Sequence, residues 1–331
     1  MAPNDIIASL KDRTLHIPNL QSLFQQHSWP SSPANPSYAH IAPLVDTTLR
    51  QLSSSNASIG KRLNDNLALF TSLWYPTAQK EQLEALALFT VWLICWDDEI
   101  DSDEGSQSDN FEKAQQWRQQ TLATFKAVLN LSQEDTLPRE HDAVNSVLID
   151  FKGRISGEFS QSQRKHVFQH VDYYISCCAR EQEFRLGRQI PDFETYMSFR
   201  EGTVACALLC SFVDFAQQVH LPEEVVASPE RKVLERQVAI LAGLVNDLLS
   251  FKKELGEECV INAVASLITS GSGRTLDDVV VEIVRKMEDA VEVFDDAAGK
   301  LLSCVDGAAR DITRDYINGC RQIVTGSLEF T

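Results

Sequence analysis

Apolar residues recur at steps of three and four along most of the chain, the spacing that places them on one face of an α-helix. This pattern predicts long helices over residues 142–154, 164–188, 193–218, 229–256 and 276–303. Turn-forming residues predict breaks at 103–110, 132–139, 220–229 and 270–273. Few runs alternate between apolar and polar residues as strands do, so we predict an all-α fold.

The first forty residues differ in composition from the rest. They contain Pro18, Pro30, Pro33 and Pro36 among many serines and asparagines, which disfavours helix. We therefore predict an extended N-terminal arm over residues 1–40. No linker rich in Pro, Gly and Ser divides the chain that follows, so residues 41–331 are predicted to form one α-helical domain.

Two segments, 85–96 and 204–215, are apolar around most of the helix circumference. Inner helices that line an apolar cavity have this character. Aromatic residues are candidates for the cavity wall, and they are Phe70, Trp74, Phe89, Trp92, Trp96, Phe199 and Phe330. For each of them, packing in an ordinary core is the alternative.

Oxygen-bearing side chains stand at helical spacing in two distant segments. They are Asp97, Asp98 and Asp101 in the first segment and Asn246, Ser250 and Glu254 in the second. Residues four apart lie about 40° apart around a helix and share a face. A small number of hard oxygen ligands suits Mg²⁺, which keeps several waters and shares its shell with a substrate's phosphates. The two segments are therefore predicted to be facing walls of a magnesium site.

These segments resemble the aspartate-rich motif and the NSE motif of class I terpene synthases, particularly the single-domain microbial and fungal sesquiterpene cyclases. Two cations stand where that family places residues that contact diphosphate. They are Arg200, 46 positions before Asn246, and Lys253, next to Glu254. The resemblance covers the chain from about residue 70 to the C-terminus.

The chain departs from the family's pattern in two places. The aspartate motif reads Asp-Asp-Glu-Ile-Asp, with an extra acidic residue inside, and no Arg-Tyr pair follows the last predicted helix before Thr331. We expect the sequence to be truncated ahead of that pair, which would supply one diphosphate contact. Phe330 occupies the place where these cyclases often carry a tryptophan.

The resemblance implies a helical bundle around a central apolar cavity and a carbon–oxygen lyase of fungal secondary metabolism. It implies three Mg²⁺ ions, with Asp97 bridging two of them, Asp98 or Asp101 in support, and the second motif holding the third. Arg200 and Lys253 would bind the diphosphate. The expected reaction is ionisation and cyclisation of farnesyl diphosphate to a cyclic sesquiterpene hydrocarbon or alcohol, with release of diphosphate.

In this family a short helix break follows the diphosphate-sensing arginine, and the corresponding positions here are Thr203 and Val204. Both are candidates for the cavity wall, where shape determines the product. Gly202 is consistent with a kink at this point, although a glycine inside a helix can also mark close packing only.

Three alternatives remain open at this stage. A diterpene cyclase acting on geranylgeranyl diphosphate would keep the mechanism and change the substrate. A chain-elongating prenyltransferase should carry a second Asp-Asp-x-x-Asp, whereas this chain has Asn-Asp-Leu-Leu-Ser over 246–250. A non-enzymatic acidic scaffold would require neither metal nor diphosphate.

Composition narrows the range of partners and compartments. The net charge of −17, from 30 basic and 47 acidic residues, opposes binding to nucleic acid or to an anionic membrane. No apolar stretch is long enough for a membrane anchor, and the first residues lack the pattern of a secretory signal, so we expect a cytoplasmic monomer or homodimer. The eight cysteines form no Cys-x-x-Cys pair and are expected to be reduced and buried.

His166 and His170 are four residues apart and would share a helix face. That spacing suits a zinc site, but no His-Glu-x-x-His pattern is present. We therefore predict surface histidines, with a metal site as the alternative.

Overall fold

The computed structural model describes residues 3–102, 104–132, 142–155, 157, 159–271 and 273–331. Within these residues every regular element is a helix, which confirms the all-α prediction. The α-helices are α1 (Pro3–Leu10), α2 (Leu20–Gln26), α3 (Tyr38–Ser55), α4 (Leu67–Trp74), α5 (Lys80–Asp101), α6 (Phe111–Val128), α7 (Ala143–Ile155), α8 (Gln161–Leu186), α9 (Phe193–Thr203), α10 (Cys206–Cys210), α11 (Val213–Ala216), α12 (Glu223–Ala227), α13 (Pro229–Gly256), α14 (Ala263–Thr269), α15 (Leu276–Ser303) and α16 (Gly307–Phe330). A 3₁₀ helix, Ala57–Asn64, follows α3.

The long helices begin where their sequences provide caps. Ser160 with Gln163 and Thr275 with Asp278 form capping boxes at the starts of α8 and α15, in which side chains satisfy backbone N–H groups at the helix start. Helix α13 has Pro229 in its first turn, where a missing N–H removes no hydrogen bond. These local signals explain why the predicted helix starts lie close to the observed ones.

Two predictions about secondary structure are wrong. The segment 193–218, predicted as one helix, is divided into α9, α10 and α11 because Ala205 adopts a left-handed backbone (φ 58°) that an α-helix cannot continue through. The arm over residues 1–40, predicted as extended, contains α1 and α2, since its prolines lie outside both helical stretches apart from Pro3 at the start of α1.

The arm packs on the domain rather than standing apart from it. Phe24 and Trp29 are buried, and the Trp29 ring lies 4.7 Å from that of Phe294 in α15.

Among the predicted breaks, residues 133–139 and 272 lie outside the described residues, as does Asp103. The proposed boundary at residue 41 stays a prediction.

Helices α5 and α13 form the centre of the bundle. Helix α5 is buried along most of its length and packs against α3, α4, α7 and α8. Helix α13 packs against α9, α10, α14, α15 and α16. The C-terminal parts of both helices border one open depression on the molecular surface. The two predicted motifs therefore face each other across it.

All eight cysteines are free thiols, six of them buried. In the part of the chain that the structure describes, no helix has the length and apolar character needed to cross a membrane.

Candidate active site

The first wall of the candidate site is the C-terminal end of α5. Asp97, Asp98 and Asp101 lie in its last two turns, and its last turn contains no basic residue. Carboxylates at this end meet the partial negative charge of the helix C-terminus, which is unfavourable unless a cation lies nearby. The next loop packs tightly on this end, since a Cβ at Gly105 would lie 2.4 Å from the Asp98 carbonyl oxygen. This acidic helix end is fixed by packing and requires compensating cations.

Asp97 lies where the polar depression meets an apolar cavity. The buried Tyr174 hydroxyl donates a hydrogen bond to Asp97 Oδ1 at 3.0 Å. Burial, followed by the charge of Asp101, raises the pKa of Asp97 to about 7. Because water solvates this carboxylate poorly, a bound cation would strongly stabilise its ionised form.

Asp98 has a different partner. Arg62, in the 3₁₀ helix, donates from Nε to Asp98 Oδ2 at 2.6 Å and from Nη2 to Oδ1 at 2.5 Å. This bidentate pair engages both carboxylate oxygens, so Asp98 is not free as a metal ligand in this structure. Asp101 is exposed and borders the depression. Sequence analysis missed Arg62, because it is distant from the motif along the chain.

The second wall is formed by α13, which carries Asn246, Ser250 and Glu254 on successive turns. Ser250 Oγ donates to Glu254 Oε1 at 2.6 Å, and Asn262 Nδ2 donates to Glu254 Oε2 at 2.9 Å. Burial, followed by the charge of a neighbouring aspartate, raises the pKa of Glu254. Asn262 is fully buried and was missed by sequence analysis, because it lies outside the motif on the N-cap of α14.

Arg200 reaches across to α13. Its Nη2 donates to Asn246 Oδ1 at 2.7 Å and lies 2.8 Å from Asp247 Oδ1. The side chain packs along α13 at Gly243, where a Cβ would lie 3.4 Å from Arg200 Cγ. Arg200 Nε is buried and has no hydrogen-bond partner among the described residues. Because an unpaired buried donor is costly, this N–H would be stabilised by an anionic ligand that reaches it.

Asp247 anchors this arrangement. It is 1% exposed and accepts hydrogen bonds from the Tyr196 hydroxyl at 2.6 Å and the Ala263 N–H at 3.1 Å, in addition to its ion pair with Arg200. These contacts connect α9 and the start of α14 to α13. Asp247, which is next to the predicted ligand Asn246, therefore positions Arg200, the predicted diphosphate sensor.

The depression between the two walls, called the polar mouth below, has a volume of about 810 Å³. Predicted site residues that border it are Asp97, Asp98, Asp101, Arg200, Asn246, Lys253 and Glu254. Ser250 does not border it in this structure and donates a hydrogen bond to Glu254. Lys253 is exposed at the rim.

Glu181 of α8 also borders the mouth, and burial raises its pKa to about 8. Sequence analysis missed Glu181 because it belongs to neither motif.

The apolar cavity adjoining the mouth has a volume of about 200 Å³. Of the predicted wall residues, Phe70, Trp74, Thr203 and Val204 line it. Residues on the wall that were not predicted are Leu93, Ile94, Tyr174, Ala205, Cys206, Leu209, Ala242, Val245, Ser327 and Thr331. Phe330 is not on the wall but stacks on Phe70, with ring centroids 4.1 Å apart.

Phe89 and Trp92 were predicted to line the cavity, but in this structure they do not border it. Both are completely buried, Phe89 against Phe125, Phe151 and Phe212, and Trp92 against Phe125. Trp96 and Phe199 likewise belong to the core. The reason is that α5 is apolar on all sides, so composition alone does not distinguish its cavity face from its core face.

The expected break after Arg200 is present. Helix α9 ends at Thr203, and Ala205 has φ 58° before α10 starts at Cys206. Non-glycine residues with this backbone are strained and often mark functional sites. Gly202 serves close packing, since a Cβ there would lie 2.4 Å from the sulfur of Cys177. The break itself therefore follows Gly202 by two residues.

The residues of the mouth fit a hard divalent cation. Aspartate, glutamate and amide oxygens are the donors that Mg²⁺ prefers, and the mouth has room for ions that keep their waters. Within the described residues the acidic side chains of the two walls do not converge on one point. The walls instead face each other from opposite sides of an open site.

Comparison with known proteins agrees with this geometry. The family described as "Terpene synthase family 2, C-terminal metal binding" matches residues 88–293. Sesquiterpene cyclase hepA of Aspergillus oryzae is 26% identical over 324 residues, which cover 95% of this chain and 86% of that protein. Silphinene synthase peniA of Penicillium patulum is 22% identical over 328 residues, covering 97% and 85%.

Solved structures show the same fold. Germacradien-4-ol synthase from Streptomyces citricolor superposes with a TM-score of 0.76 at 20% identity, covering 97% of this chain and 98% of that one. For α-eudesmol synthase the TM-score is 0.79 at 14% identity, with 96% and 98% covered.

An all-α bundle with an acidic mouth above an apolar cavity fits a terpene synthase, and the family comparison identifies it as one. The match over more than half of its length shows that the chain belongs to terpene synthase family 2. That family is described by its C-terminal metal binding, which implies use of a divalent metal ion.

Proposed function

We propose that this enzyme ionises farnesyl diphosphate in the presence of Mg²⁺ and cyclises the resulting cation to a sesquiterpene, with release of diphosphate. One observation carries the proposal most directly. Asp97, Arg200 and Asn246 border both the polar mouth and the apolar cavity. A substrate with a diphosphate at one end and a hydrocarbon chain at the other fits these two compartments.

The residues of the two walls are proposed to hold Mg²⁺, with Asp97 and Asp101 on one side and Asn246, Ser250 and Glu254 on the other. Bound Mg²⁺ would supply Lewis-acid neutralisation of the charge that develops on the leaving diphosphate. Three ions are expected from the family resemblance. In this structure Asp98 pairs with Arg62, so its part is to fix the 3₁₀ helix against the end of α5.

The protein's own cations position the leaving group. Arg200 offers its unpaired Nε to a diphosphate oxygen while Asp247 holds the guanidinium in place. Lys253 at the rim provides a second positive charge. Charge-assisted hydrogen bonds of this kind are short and strong, and they orient the diphosphate before the carbon–oxygen bond breaks.

The apolar wall governs what happens after ionisation. Phe70, Trp74 and Tyr174 present aromatic rings to the cavity, and each can stabilise a nearby carbocation by about 0.5–2 kcal/mol. Thr203, Val204 and their neighbours exclude bulk water and set the shape into which the chain folds. The cavity of about 200 Å³ is small beside the roughly 300–1,000 Å³ of common ligand pockets, so it must widen to admit either chain, and the choice of a fifteen-carbon substrate rests on the likeness to sesquiterpene cyclases.

The test is incubation of the purified protein with Mg²⁺ and, separately, geranyl, farnesyl and geranylgeranyl diphosphate, followed by gas chromatography with mass detection. A cyclic C15 hydrocarbon or alcohol from farnesyl diphosphate is expected, and a chelated sample is the control. A C20 cyclic product would change the proposed substrate. A longer linear prenyl alcohol after phosphatase treatment would indicate an elongase, and absence of any turnover would refute the proposal.

The raised pKa values of two mouth carboxyls predict that metal binding releases protons. The pKa is about 7 for Asp97 and about 8 for Glu181, in both cases chiefly because of burial. Both groups are therefore partly protonated at pH 7 in the metal-free enzyme, whereas a nearby cation favours the ionised form. We expect Mg²⁺ and diphosphate to bind more tightly as the pH rises from about 6 to 8.

Calorimetry at pH 7 in two buffers with different ionisation enthalpies measures the number of protons released. The observed heats should differ between the buffers, and the difference should shrink in the Glu181→Gln variant, which cannot ionise at this position. Equal heats in both buffers would contradict the prediction.

A further inference from the structure

A second group of metal-ligating side chains lies away from the polar mouth. His166 and His170 of α8 and Glu235 of α13 bring their ligand atoms within 4.8 Å of one another. Glu235 precedes Asn246 by eleven positions on the same helix, about 16 Å along its axis at 1.5 Å per residue. None of the three borders the mouth or the apolar cavity. The cluster therefore has no part in the proposed cyclisation.

The sequence-based prediction of surface histidines is wrong. Each histidine side chain is only 18% exposed, and Glu235 is 2% exposed. His166 Nε2 lies 2.9 Å from Glu235 Oε1, and His170 Nε2 lies 3.1 Å from Oε2. Sequence spacing placed the two rings on one helix face but gave no indication of a buried carboxylate opposite them.

The spacing of these atoms suits a single small ion. With metal–nitrogen and metal–oxygen bonds of about 2.0–2.2 Å, the ligands of a tetrahedral site stand roughly 3.4 Å apart. His170 Nε2 lies 3.1 Å from Glu235 Oε2, which needs only a small expansion to reach that value, and one ligand atom from each of the three residues lies within 4.8 Å of the others. Neutral imidazole would bind through Nε2 with its proton moved to Nδ1, so no net proton loss is required from either ring.

Glu235 is held from behind by two further side chains. Its Oε1 also accepts from the Tyr316 hydroxyl at 2.8 Å and from Arg231 Nε at 3.1 Å. Oε2, among the described residues, accepts only from His170. Such outer contacts orient a ligating carboxylate and are a regular feature of metal sites. Oε2 is therefore the oxygen that remains free to bind an ion.

The charges at the cluster set the expected strength and type of binding. Glu235 supplies one negative charge, while Arg231 beside it opposes a cation, so the affinity should be modest for a protein zinc site. Imidazole nitrogens select Zn²⁺ and its transition-metal neighbours over Mg²⁺.

We propose that His166, His170 and Glu235 form a binding site for one transition-metal ion, with Zn²⁺ as the probe, which cross-links α8 to α13. A water would complete the coordination on the partly exposed side. The site does not depend on the proposed cyclase function, because it lies on different residues and uses a different kind of ion.

The test is a calorimetric titration of the untagged full-length protein with Zn²⁺ in excess Mg²⁺, which occupies the mouth. One Zn²⁺ per chain is expected to bind, and the midpoint of thermal unfolding should rise as it does. Asn246→Ala should retain this site. His170→Ala should lose it, whereas His220→Ala, which changes an exposed histidine outside the cluster, should bind as the wild type does.

Tyr316→Phe provides an independent check if His170→Ala fails to fold. It keeps all three ligands and removes one contact behind Glu235, so Zn²⁺ affinity should fall about tenfold or more. Substitution of Co²⁺ should give the visible absorption of a tetrahedral site in the wild type. Absence of Zn²⁺ binding in the wild type, or unchanged binding in a folded His170→Ala variant, would show that the cluster is only a hydrogen-bonded network and would overturn the proposal.

Discussion

Replacing Asp247 with alanine is expected to lower the free energy of unfolding by about 3–5 kcal/mol and to abolish diphosphate release from farnesyl diphosphate. The substitution leaves the Arg200 guanidinium, only 14% exposed, without the carboxylate that neutralises it. It also removes the acceptor of the Tyr196 hydroxyl and the Ala263 N–H. An uncompensated buried charge is the costliest of these losses.

Chemical denaturation and a coupled diphosphate assay measure the two effects separately. Tyr196→Phe is the matched control, because it removes one hydrogen bond to the same carboxylate and keeps the ion pair. It should cost about 1 kcal/mol and leave most of the activity. If Asp247→Ala were as stable as Tyr196→Phe, Asp247 would not be the anchor of Arg200.

The sequence was sufficient for most of the long helices and for the shared helix face within each motif, because both depend on local spacing. Ligands at i and i+4 share a face in any helix, and the walls at Asp97 and Asn246 follow from that rule once the fold brings α5 and α13 together. The break after Arg200 was also anticipated, but only from the family resemblance. Nothing in the composition of residues 203–205 predicts the left-handed backbone at Ala205.

The contacts that decide how the site works were not predictable, because they join residues far apart in the chain. Arg62 engages Asp98 across 36 positions, and Asn262 reaches Glu254 from the next helix. Periodicity reports which face of a helix is buried but not what lies against it. The same limit applies to the aromatic residues: Phe89 and Trp92 are as apolar as Trp74, and only packing places Trp74 at the cavity.

The structure distinguishes the roles of the two adjacent aspartates, and this leads to the second large expected effect. Asp97→Ala should reduce kcat/KM by about a thousandfold, or roughly 4 kcal/mol of transition-state stabilisation, because it removes the carboxylate at the boundary between mouth and cavity. It should cost the metal-free fold only about 1 kcal/mol, for the lost acceptor of the Tyr174 hydroxyl, since burial raises the pKa of Asp97 and its carboxylate has no cationic hydrogen-bond partner among the described residues.

Asp98→Ala should show the opposite pattern. Its carboxylate pairs with Arg62, and the side chains are 14% exposed for Asp98 and 26% exposed for Arg62. The substitution should therefore lower the free energy of unfolding by about 1–2 kcal/mol and have a smaller effect on kcat. Arg62→Ala should cost a similar amount, and the double variant should cost less than the sum of the two. Denaturation curves and steady-state kinetics on the four proteins would establish this. A stable Asp98→Ala variant as inactive as Asp97→Ala would instead make Asp98 a metal ligand, and the pair with Arg62 would then have to open before catalysis.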